Sequence, residues 1–332
     1  MMNAYAPPAG APRTSGPGRR SSPMTWRWGD RLALAFAWFA GLGLCAIAAA
    51  IVIYMGYRGI QYLSPSLLVS RPAVSTSQSG TGGFLDPLLG TLLLTLIGIV
   101  LAFPLAVCSA FWISEYGRPT WLARIVESSV EIVAGTPDIV IALFGLALFQ
   151  IGLFAPFSFR AAGGGVFGKS FIAAGAMMSL IAVPPLFAAT RDGLQAVPAH
   201  MREAAFALGK TRIATIRRVL LPSVRSNIAT GVTLGVSRII GDTAIVVLLL
   251  GETLRIEPQG SVPGVGLLRG TGSTLTSYIY NNSPAGEGAA PQKAYAAAFV
   301  LMVFVLALNL VVGRIGRSHA DAQGLTVAGT IV

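Results

Sequence analysis

The sequence predicts an all-α integral membrane protein with six transmembrane helices. Of its 332 residues 54% are hydrophobic and only 11% are charged, whereas a soluble domain carries about a quarter charged residues. The mean hydropathy is +0.69. Six apolar runs have about the length that crosses a bilayer as a helix; they are 32–54, 88–113, 132–154, 171–189, 228–250 and 294–312.

The runs divide the chain into a peripheral first helix and a five-helix core. No small-residue cleavage site follows the first run, so we expect a membrane anchor rather than a removed signal peptide. The polar segment before it is rich in Pro, Gly and Ser, which is typical of disorder. The predicted segments are a disordered N-terminal tail (1–30), the first transmembrane helix (31–57), an external linker (58–86), the core (87–316) and a C-terminal tail (317–332).

The basic residues predict the orientation of the chain, because positively charged loops stay on the cytoplasmic side. With the N-terminus inside, sixteen of the 24 Lys and Arg residues fall on the cytoplasmic side, seven fall outside, and Arg238 lies within the fifth run. We therefore expect both termini and the loop 198–222 in the cytoplasm. The net charge of +11 then reflects topology and attraction to anionic membrane lipid, and it gives no reason to expect nucleic-acid binding.

One apparent nucleotide-binding motif is rejected. The letters from Gly163 to Ser170 match the phosphate-loop pattern G-x-x-x-x-G-K-[ST]. A phosphate loop lies between a buried strand and a soluble amphipathic helix, but here a membrane run follows at once. The predicted topology also places these residues outside, so we expect a Gly-rich external turn.

The polar segment 198–222 carries a helical pattern of its own between two apolar runs. A short helix around Glu203 is followed by a break at Gly209, where a glycine would cap the helix end. A second helix then places its arginines on one face and its apolar residues on the other. This pattern alone fits two interpretations equally well, docking to a water-exposed protein partner and lying on anionic lipid.

The letters of this segment resemble the cytoplasmic signature of ABC-importer permeases, which dock onto an ATPase subunit. The match is Glu203-Ala204-Ala205, three further residues and Gly209, continued by 219–222 and Gly231. The resemblance implies that ATPase coupling rests on Arg202, Glu203, Ala204, Ala205, Leu208 and Gly209.

A second set of letters is similar to the phosphate-specific permeases of that superfamily. Arg238 is followed by two residues and then by Gly241-Asp242-Thr243-Ala244, where the family usually has Glu in place of Asp242. The runs Pro137-x-Ile-Val and Phe-Gly-Leu favour the A-type permease, with a MetI-like core, over its C-type partner. Other matching positions are Val197-Pro198, Gly90-Thr91, Ser114-Glu115-Tyr116-Gly117 and Asn309-Leu310, whereas Thr136, Asp138 and Arg191-Asp192 depart from the family pattern.

The resemblance implies a bacterial cell-membrane permease that imports inorganic phosphate. It implies a C-type permease as heterodimer partner, two ATPase subunits and an external phosphate-binding protein. ATP and magnesium would be bound by the ATPase, so we expect no cofactor, no metal and no catalytic residue on this chain, which would not itself be an enzyme.

Arg238 has a chemical reason to serve such a pathway. A lone arginine in the middle of a membrane helix costs about 2.5–3.5 kcal/mol on insertion scales, so it needs a partner. Asp242 lies four residues on, one helical turn further, and so on the same face. The predicted substrate pathway is therefore Arg238, Asp242 and Thr243, with phosphate competing with Asp242 for the guanidinium. The alternative is a purely structural ion pair.

Other functions remain open at this point. A permease for another oxyanion, sulfate or molybdate, would carry the same docking signature. A membrane scaffold or sensor could use the basic helix without transport. The insertion free energy of Arg238 would then have no functional explanation. A membrane enzyme is disfavoured, because His200 and His319 stand alone in polar segments.

Overall fold

The computed structural model describes residues 28–73, 82–117, 119–161, 163–251, 253–259, 264–284, 286 and 290–321. Within these residues the structure is helical, with three isolated bridge pairs as its only extended pairing. Most of the predicted N-terminal tail and the end of the C-terminal tail, 322–332, lie outside the described residues. The chain divides into two units, 1–54 and 55–332.

The helices are named in chain order. They are α1 (Trp28–Tyr62), α2 (Pro65–Val69), α3 (Leu85–Glu115), α4 (Thr120–Gly135), α5 (Asp138–Leu148), α6 (Phe171–Ala196), α7 (Ala199–Ala207), α8 (Arg212–Thr215), α9 (Leu221–Ser223), α10 (Arg225–Gly241), α11 (Val265–Arg269), α12 (Leu275–Asn282) and α13 (Pro291–Asp321). Two π-helical turns, Ile216–Leu220 and Val246–Leu250, follow α8 and α10.

Four helices in the described part of the chain are long and apolar enough to cross a membrane. They are α1, α3, α6 and the Pro291–Arg314 part of α13, which correspond to the first, second, fourth and sixth predicted runs. The prediction of an all-helical membrane protein is confirmed. The first unit contains the apolar start of α1, and the second contains its last turns together with α2, in the predicted linker 58–86.

The third predicted run, 132–154, is not one continuous helix. It is divided between α4 and α5, which meet at a bend of 107°. Pro137 has no backbone N–H and excludes the residue before it from helical geometry, and Thr136 is accordingly extended, with φ −80° and ψ 130°. If this bent pair counts as one span, five spans are present among the described residues.

The fifth predicted run, 228–250, is also broken. Helix α10 ends after 17 residues at Gly241, and Asp242 is extended, with φ −78° and ψ 136°. The chain then re-enters helical geometry before the π-helical turn Val246–Leu250. The prediction of a continuous helix here is wrong, because apolar letters continue through a point where the backbone changes direction.

Glycines let three long helices of the second unit approach closely. Gly175 of α6 lies against Ile97 of α3, with no room for a side chain. A Cβ atom at Gly98 of α3 would lie 2.9 Å from Cδ1 of Ile239 in α10. Small residues at such crossings are the usual means by which membrane helices pack. Helices α3, α6 and α10 therefore form one interlocked group.

The second unit has two recognisable ends. The basic end carries the segment 198–222, above a buried cluster that includes Leu186, Leu194 and Leu220. The opposite end carries α11 and α12, above a second cluster that includes Phe84 and Tyr278. Helix α3 runs from the opposite end to the basic end, so it connects the two.

Candidate functional site

The short helix predicted in the segment 198–222 is present as α7, and Gly209 ends it. The N–H of Gly209 donates to the carbonyl of Phe206 (2.9 Å), and the N–H of Lys210 donates to that of Ala205 (3.1 Å). These two bonds form a Schellman cap, which requires a left-handed residue. Gly209 has φ +72°, so glycine is the favoured residue here.

One face of α7 is turned away from the rest of the chain. Ala205 is buried, whereas Glu203, Ala204 and Gly209 are exposed. The side chain of Leu208 is 77% exposed. Exposed apolar side chains continue this surface at Met201, Phe206 and Ile213. An apolar surface beside one acid and one glycine suits a protein partner better than an anionic lipid surface.

Arg202 is the exception among the predicted coupling residues, because its guanidinium is turned toward the chain itself. Its Nε donates to Oε1 of Glu115 (3.0 Å) at the end of α3. Its Nη1 donates to the carbonyl of Val197 (2.9 Å) and its Nη2 to that of Leu194 (2.8 Å). We call Arg202, Glu115, Leu194 and Val197 the Arg202 bracket. The Arg202 bracket joins α7 to the ends of α3 and α6.

The second helix of the segment is attached to the same turn of α3. Thr211 caps its start by accepting a hydrogen bond from the N–H of Ala214 (3.3 Å). Arg212 donates from Nη1 to the carbonyl of Glu115 (3.2 Å), and its guanidinium lies 5.7 Å from the centre of the Tyr116 ring. Arg217 and Arg218 are exposed. Helices α7 and α8 are thus both held on the last turn of α3.

Arg238 forms an ion pair, but its partner is Asp138 and not Asp242. The Nη2 atom of Arg238 lies 3.1 Å from Oδ1 and 3.4 Å from Oδ2 of Asp138. Asp138 is the first residue of α5, directly after the Pro137 break, and Arg238 lies in the last turn of α10. The two side chains are 31% and 52% exposed, respectively. The guanidinium therefore keeps donors available at its open side.

Asp242 caps a helical turn and does not form the predicted ion pair with Arg238. Its Oδ2 accepts a hydrogen bond from the N–H of Ile245 (2.8 Å), which is the geometry of a helix N-cap. The residue is only 8% exposed. The predicted direct pairing with Arg238 is wrong, because α10 ends at Gly241 and Asp242 no longer shares its helical face.

Thr243 and a threonine of α12 flank this break. Thr243 is half-buried, and its carbonyl accepts a hydrogen bond from Val247 (3.0 Å). Thr276 donates from Oγ1 to the carbonyl of Asp242 (3.3 Å). The break in α10 is therefore stabilised by local polar contacts. Asp138, the observed partner of Arg238, was not among the predicted pathway residues, and its signal was an acid directly after Thr136-Pro137.

The phosphate-loop letters form a short turn that is unsuited to a nucleotide. Arg160 and Val166 form an isolated bridge, and the N–H of Phe159 donates to the carbonyl of Lys169 (2.7 Å). Ser170 is buried, and its Oγ accepts a hydrogen bond from the N–H of Ala173 (3.0 Å) at the start of α6. The hydroxyl that would bind magnesium in a phosphate loop instead caps a membrane helix.

A protein-family match covers the part of the chain that holds both groups of residues. The family described as binding-protein-dependent transport system inner membrane component matches residues 96–320. This chain belongs to that family. The predicted resemblance is confirmed: the protein is a multi-pass ABC-importer permease of the MetI-like type, and membership of this family implies ATPase and substrate-binding-protein partners.

Relatives of this permease include proteins named for phosphate transport. The phosphate transport system permease protein PstA 1 of Mycobacterium tuberculosis (strain H37Rv) is 30% identical over 234 residues, which cover 70% of each chain. PstC of Xylella fastidiosa (strain 9a5c) is 29% identical over 237 residues, 68% of this chain and 69% of that one. Because both A-type and C-type relatives match, the A-type assignment stays a prediction.

Solved structures agree with the fold. A chain of a bacterial alginate ABC transporter has a TM-score of 0.57 at 16% identity, with 90% of this permease and 96% of that chain covered. A chain of the MetNI methionine ABC transporter in an inward-facing conformation has a TM-score of 0.51 at 19% identity, with 71% of this permease and 94% of that chain covered. At this identity the likeness concerns the fold alone.

Proposed function

We propose that this permease imports inorganic phosphate into the cytoplasm of a bacterium. It would form a heterodimer with a C-type permease in the cell membrane, be driven by two ATPase subunits that bind ATP and magnesium, and receive phosphate from an external binding protein. The basic end would face the cytoplasm. The observation that carries the proposal is the ion pair between Arg238 and Asp138 at two helix breaks, together with the phosphate-transport names of its relatives.

The arginine supplies an oxyanion site on the pathway. Only Nη2 of Arg238 contacts Asp138, and Nε and Nη1 keep their donors. Both bidentate edges of a guanidinium, Nε with Nη2 and Nη1 with Nη2, include Nη2, so an anion that binds through two oxygens would share Nη2 with Asp138 or displace it. A planar guanidinium binds phosphate in this bidentate manner, which a lysine cannot do. Asp138 takes the place that the sequence pattern gave to Asp242, and an arriving anion would compete with it for the guanidinium.

Asp138 also favours phosphate over the two other oxyanions. Monohydrogen phosphate carries a P–OH group that can donate a hydrogen bond to a carboxylate, whereas sulfate and molybdate at neutral pH carry no proton. A carboxylate beside the anion would therefore repel them. Sites that use a substrate hydroxyl in this way discriminate strongly against analogues that lack it.

At the basic end, α7 would transmit ATPase closure. Its exposed surface, Glu203, Ala204, Leu208 and Gly209, matches the docking role implied by the family signature. Arg202 contributes from inside the chain, by holding α7 on the ends of α3 and α6.

The deciding experiment is ATP-driven uptake of radiolabelled phosphate into vesicles that contain this permease with its C-type partner and ATPase, with the external phosphate-binding protein supplied. We expect uptake that excess sulfate and molybdate do not inhibit. Inhibition by sulfate or molybdate would favour a permease for that oxyanion. A complex that hydrolyses ATP and transports none of the three would contradict an importer of this kind and favour a scaffold or sensor.

Replacement of Asp138 by Asn is expected to weaken anion selectivity. The amide removes the repulsion of unprotonated anions, so sulfate should become a competitor at concentrations at least about tenfold lower than in the wild type. Phosphate uptake should show a lower KM and a lower maximum rate, because Arg238 loses its competing partner. Competition curves in the same vesicles measure both effects.

The matched control for this change is Glu131→Gln, which neutralises an exposed carboxylate on α4. It should leave the sulfate competition curve unchanged. Equal curves for Asp138→Asn and the wild type would contradict a selective role for Asp138.

Two substitutions at Asp242 separate its capping role from a charge effect on phosphate. Asp242→Asn keeps an N-cap oxygen and should retain the wild-type KM for phosphate, because Asn caps helices as well as Asp does. Asp242→Ala loses the cap and should destabilise the permease by about 1 kcal/mol, measured as a lower melting temperature in detergent. A change of KM in Asp242→Asn would instead support competition between phosphate and Asp242.

A further inference from the structure

We propose that the pair of Glu115 and Arg202, within the Arg202 bracket, is the joint through which α7 moves α3. Glu115 would be a positioning residue for coupling, and α3 the arm that carries the movement toward Arg238. The inference rests on the proposed docking of α7 onto the ATPase, but it does not depend on which anion is carried.

The contacts of Arg202 make this joint rigid. Three different nitrogen atoms of its guanidinium are engaged, at 3.0, 2.9 and 2.8 Å, with acceptors on two helices. The carbonyls of Leu194 and Val197 lie at the end of α6, where few carbonyl groups have partners within the helix. The Leu194 carbonyl also accepts the N–H of Val197 (3.4 Å), so Arg202 adds a charged donor to this helix end. A planar group fixed at three points cannot rotate without breaking a bond to a charged donor, so α7, α6 and α3 would move together at this point.

Glu115 is an unfavourable residue at its position unless it is paired. It is the last residue of α3, and a carboxylate at a helix C-terminus is repelled by the negative end of the helix dipole. Its side chain is only 8% exposed, which adds a desolvation cost. Packing alone would be satisfied by an apolar or amide side chain. The acid is explained by a strong, directed bond to Arg202.

A second contact attaches the same turn of α3 to the rest of the segment. Arg212 bonds to the Glu115 carbonyl and lies over the Tyr116 ring. Helices α7 and α8, on either side of the Gly209 cap, are therefore both anchored to α3. A displacement of the segment would pull on α3 from two sides.

Helix α3 reaches the proposed pathway. Gly98 lies against Ile239, the residue next to Arg238. Further along, Thr91 accepts a hydrogen bond at Oγ1 from the N–H of Leu275 (2.9 Å), next to the α12 threonine that contacts Asp242. The arm from Glu115 to Gly98 spans about 26 Å at 1.5 Å per residue. A shift of α3 would therefore displace residues on both sides of the break in α10.

The test is Glu115→Gln in the complete complex, with phosphate uptake and ATP hydrolysis measured together. The amide keeps the size and an acceptor oxygen but loses the charge-assisted bond. We expect ATP hydrolysis to continue while the number of phosphates imported per ATP falls about tenfold, as for loss of a hydrogen bond between charged groups. Glu127→Gln is the matched control: it breaks the ion pair between Glu127 and Arg191 (2.8 Å), which joins α4 to α6 without touching α7, and it should keep the wild-type ratio.

A second measurement does not depend on transport. Spin labels at Val100 on α3 and Leu310 on α13, both exposed, are introduced after Cys45 and Cys108 are replaced by Ser. In the wild type and in Glu127→Gln, trapping with magnesium, ATP and vanadate should shift the distance between the labels, and in Glu115→Gln this shift should be lost. If the wild-type complex imports no phosphate, the proposed function is contradicted. The distance shift then still shows whether Glu115 and Arg202 transmit movement from α7 to α3.

The joint is overturned if Glu115→Gln keeps the wild-type ratio of phosphate to ATP, or if the wild type shows no shift on trapping. If Glu115→Gln does not accumulate in the membrane, Arg202→Lys replaces it, because lysine keeps the charge but not the three-point fork. The same loss of ratio and of distance shift is then expected, and wild-type behaviour of Arg202→Lys would overturn the proposal.

Discussion

Replacement of Arg238 by Gln is expected to abolish phosphate uptake, by at least about a hundredfold, as for other preorganised donors to an anion. The change removes the charged donor and leaves Asp138 as an unpaired carboxylate on the pathway, which would repel the anion. The amount of permease in the membrane and its assembly with the ATPase should stay normal, because Arg238 is half-exposed and supports no buried cluster. Uptake in vesicles and co-purification of the ATPase measure the two parts.

Two further variants sharpen this result. Arg238→Lys should recover only part of the uptake, since an ammonium group cannot bind two oxygens of one anion in a plane. Arg124→Gln removes an exposed arginine of α4 and should leave uptake unchanged. Normal uptake by Arg238→Gln would refute its place on the pathway.

Replacement of Gly209 by Asp is expected to uncouple transport from ATP hydrolysis. A Cβ atom at Gly209 would meet nothing within 4 Å inside the chain, so the new side chain would point toward the docking surface. Its negative charge would lie beside Glu203 on that surface, and like charges there disfavour docking. Phosphate uptake should fall to background while the helices stay folded, as judged by circular dichroism.

Gly209→Asn is the control that separates charge from backbone strain. Asn and Asp tolerate positive φ to a similar degree, so both variants should weaken the Schellman cap by about the same amount, on the order of 1 kcal/mol. Asn should therefore show a smaller transport defect than Asp. Equal defects would mean that the cap, and not the surface, is responsible, and wild-type uptake by Gly209→Asp would contradict the docking role.

The class of protein and the geometry of the segment 198–222 were both predictable from sequence. Composition and run length were sufficient for a helical membrane protein, because lipid leaves the backbone few alternatives. The glycine at 209 marked the end of α7, since few other residues adopt its φ. The orientation of Arg202 was not predictable, because its partner Glu115 is distant in the chain.

The breaks in two spans were harder to predict. Hydropathy reports whether a segment is apolar but not whether its backbone is continuous. Pro137 signalled the first break, but the second break depends on Asp242, which in a continuous helix would have been one turn from Arg238. Read as an N-cap, the same aspartate ends one helix and starts the next turn. The choice of Asp138 as ion-pair partner follows from both breaks together.

The two breaks also place each charge of the ion pair between Asp138 and Arg238 at a helix terminus of opposite sign. Asp138 lies in the first turn of α5 and Arg238 in the last turn of α10, so the N-terminal partial positive charge of α5 stabilises the carboxylate and the C-terminal partial negative charge of α10 stabilises the guanidinium. The interaction with the helix dipole stabilises each charged group by about 0.3–1 kcal/mol relative to a position in mid-helix. If the pair opens on the proposed pathway, neither charge is left without a compensating field, so the barrier to admitting an anion between them would be lower than for an ion pair held in unbroken helices.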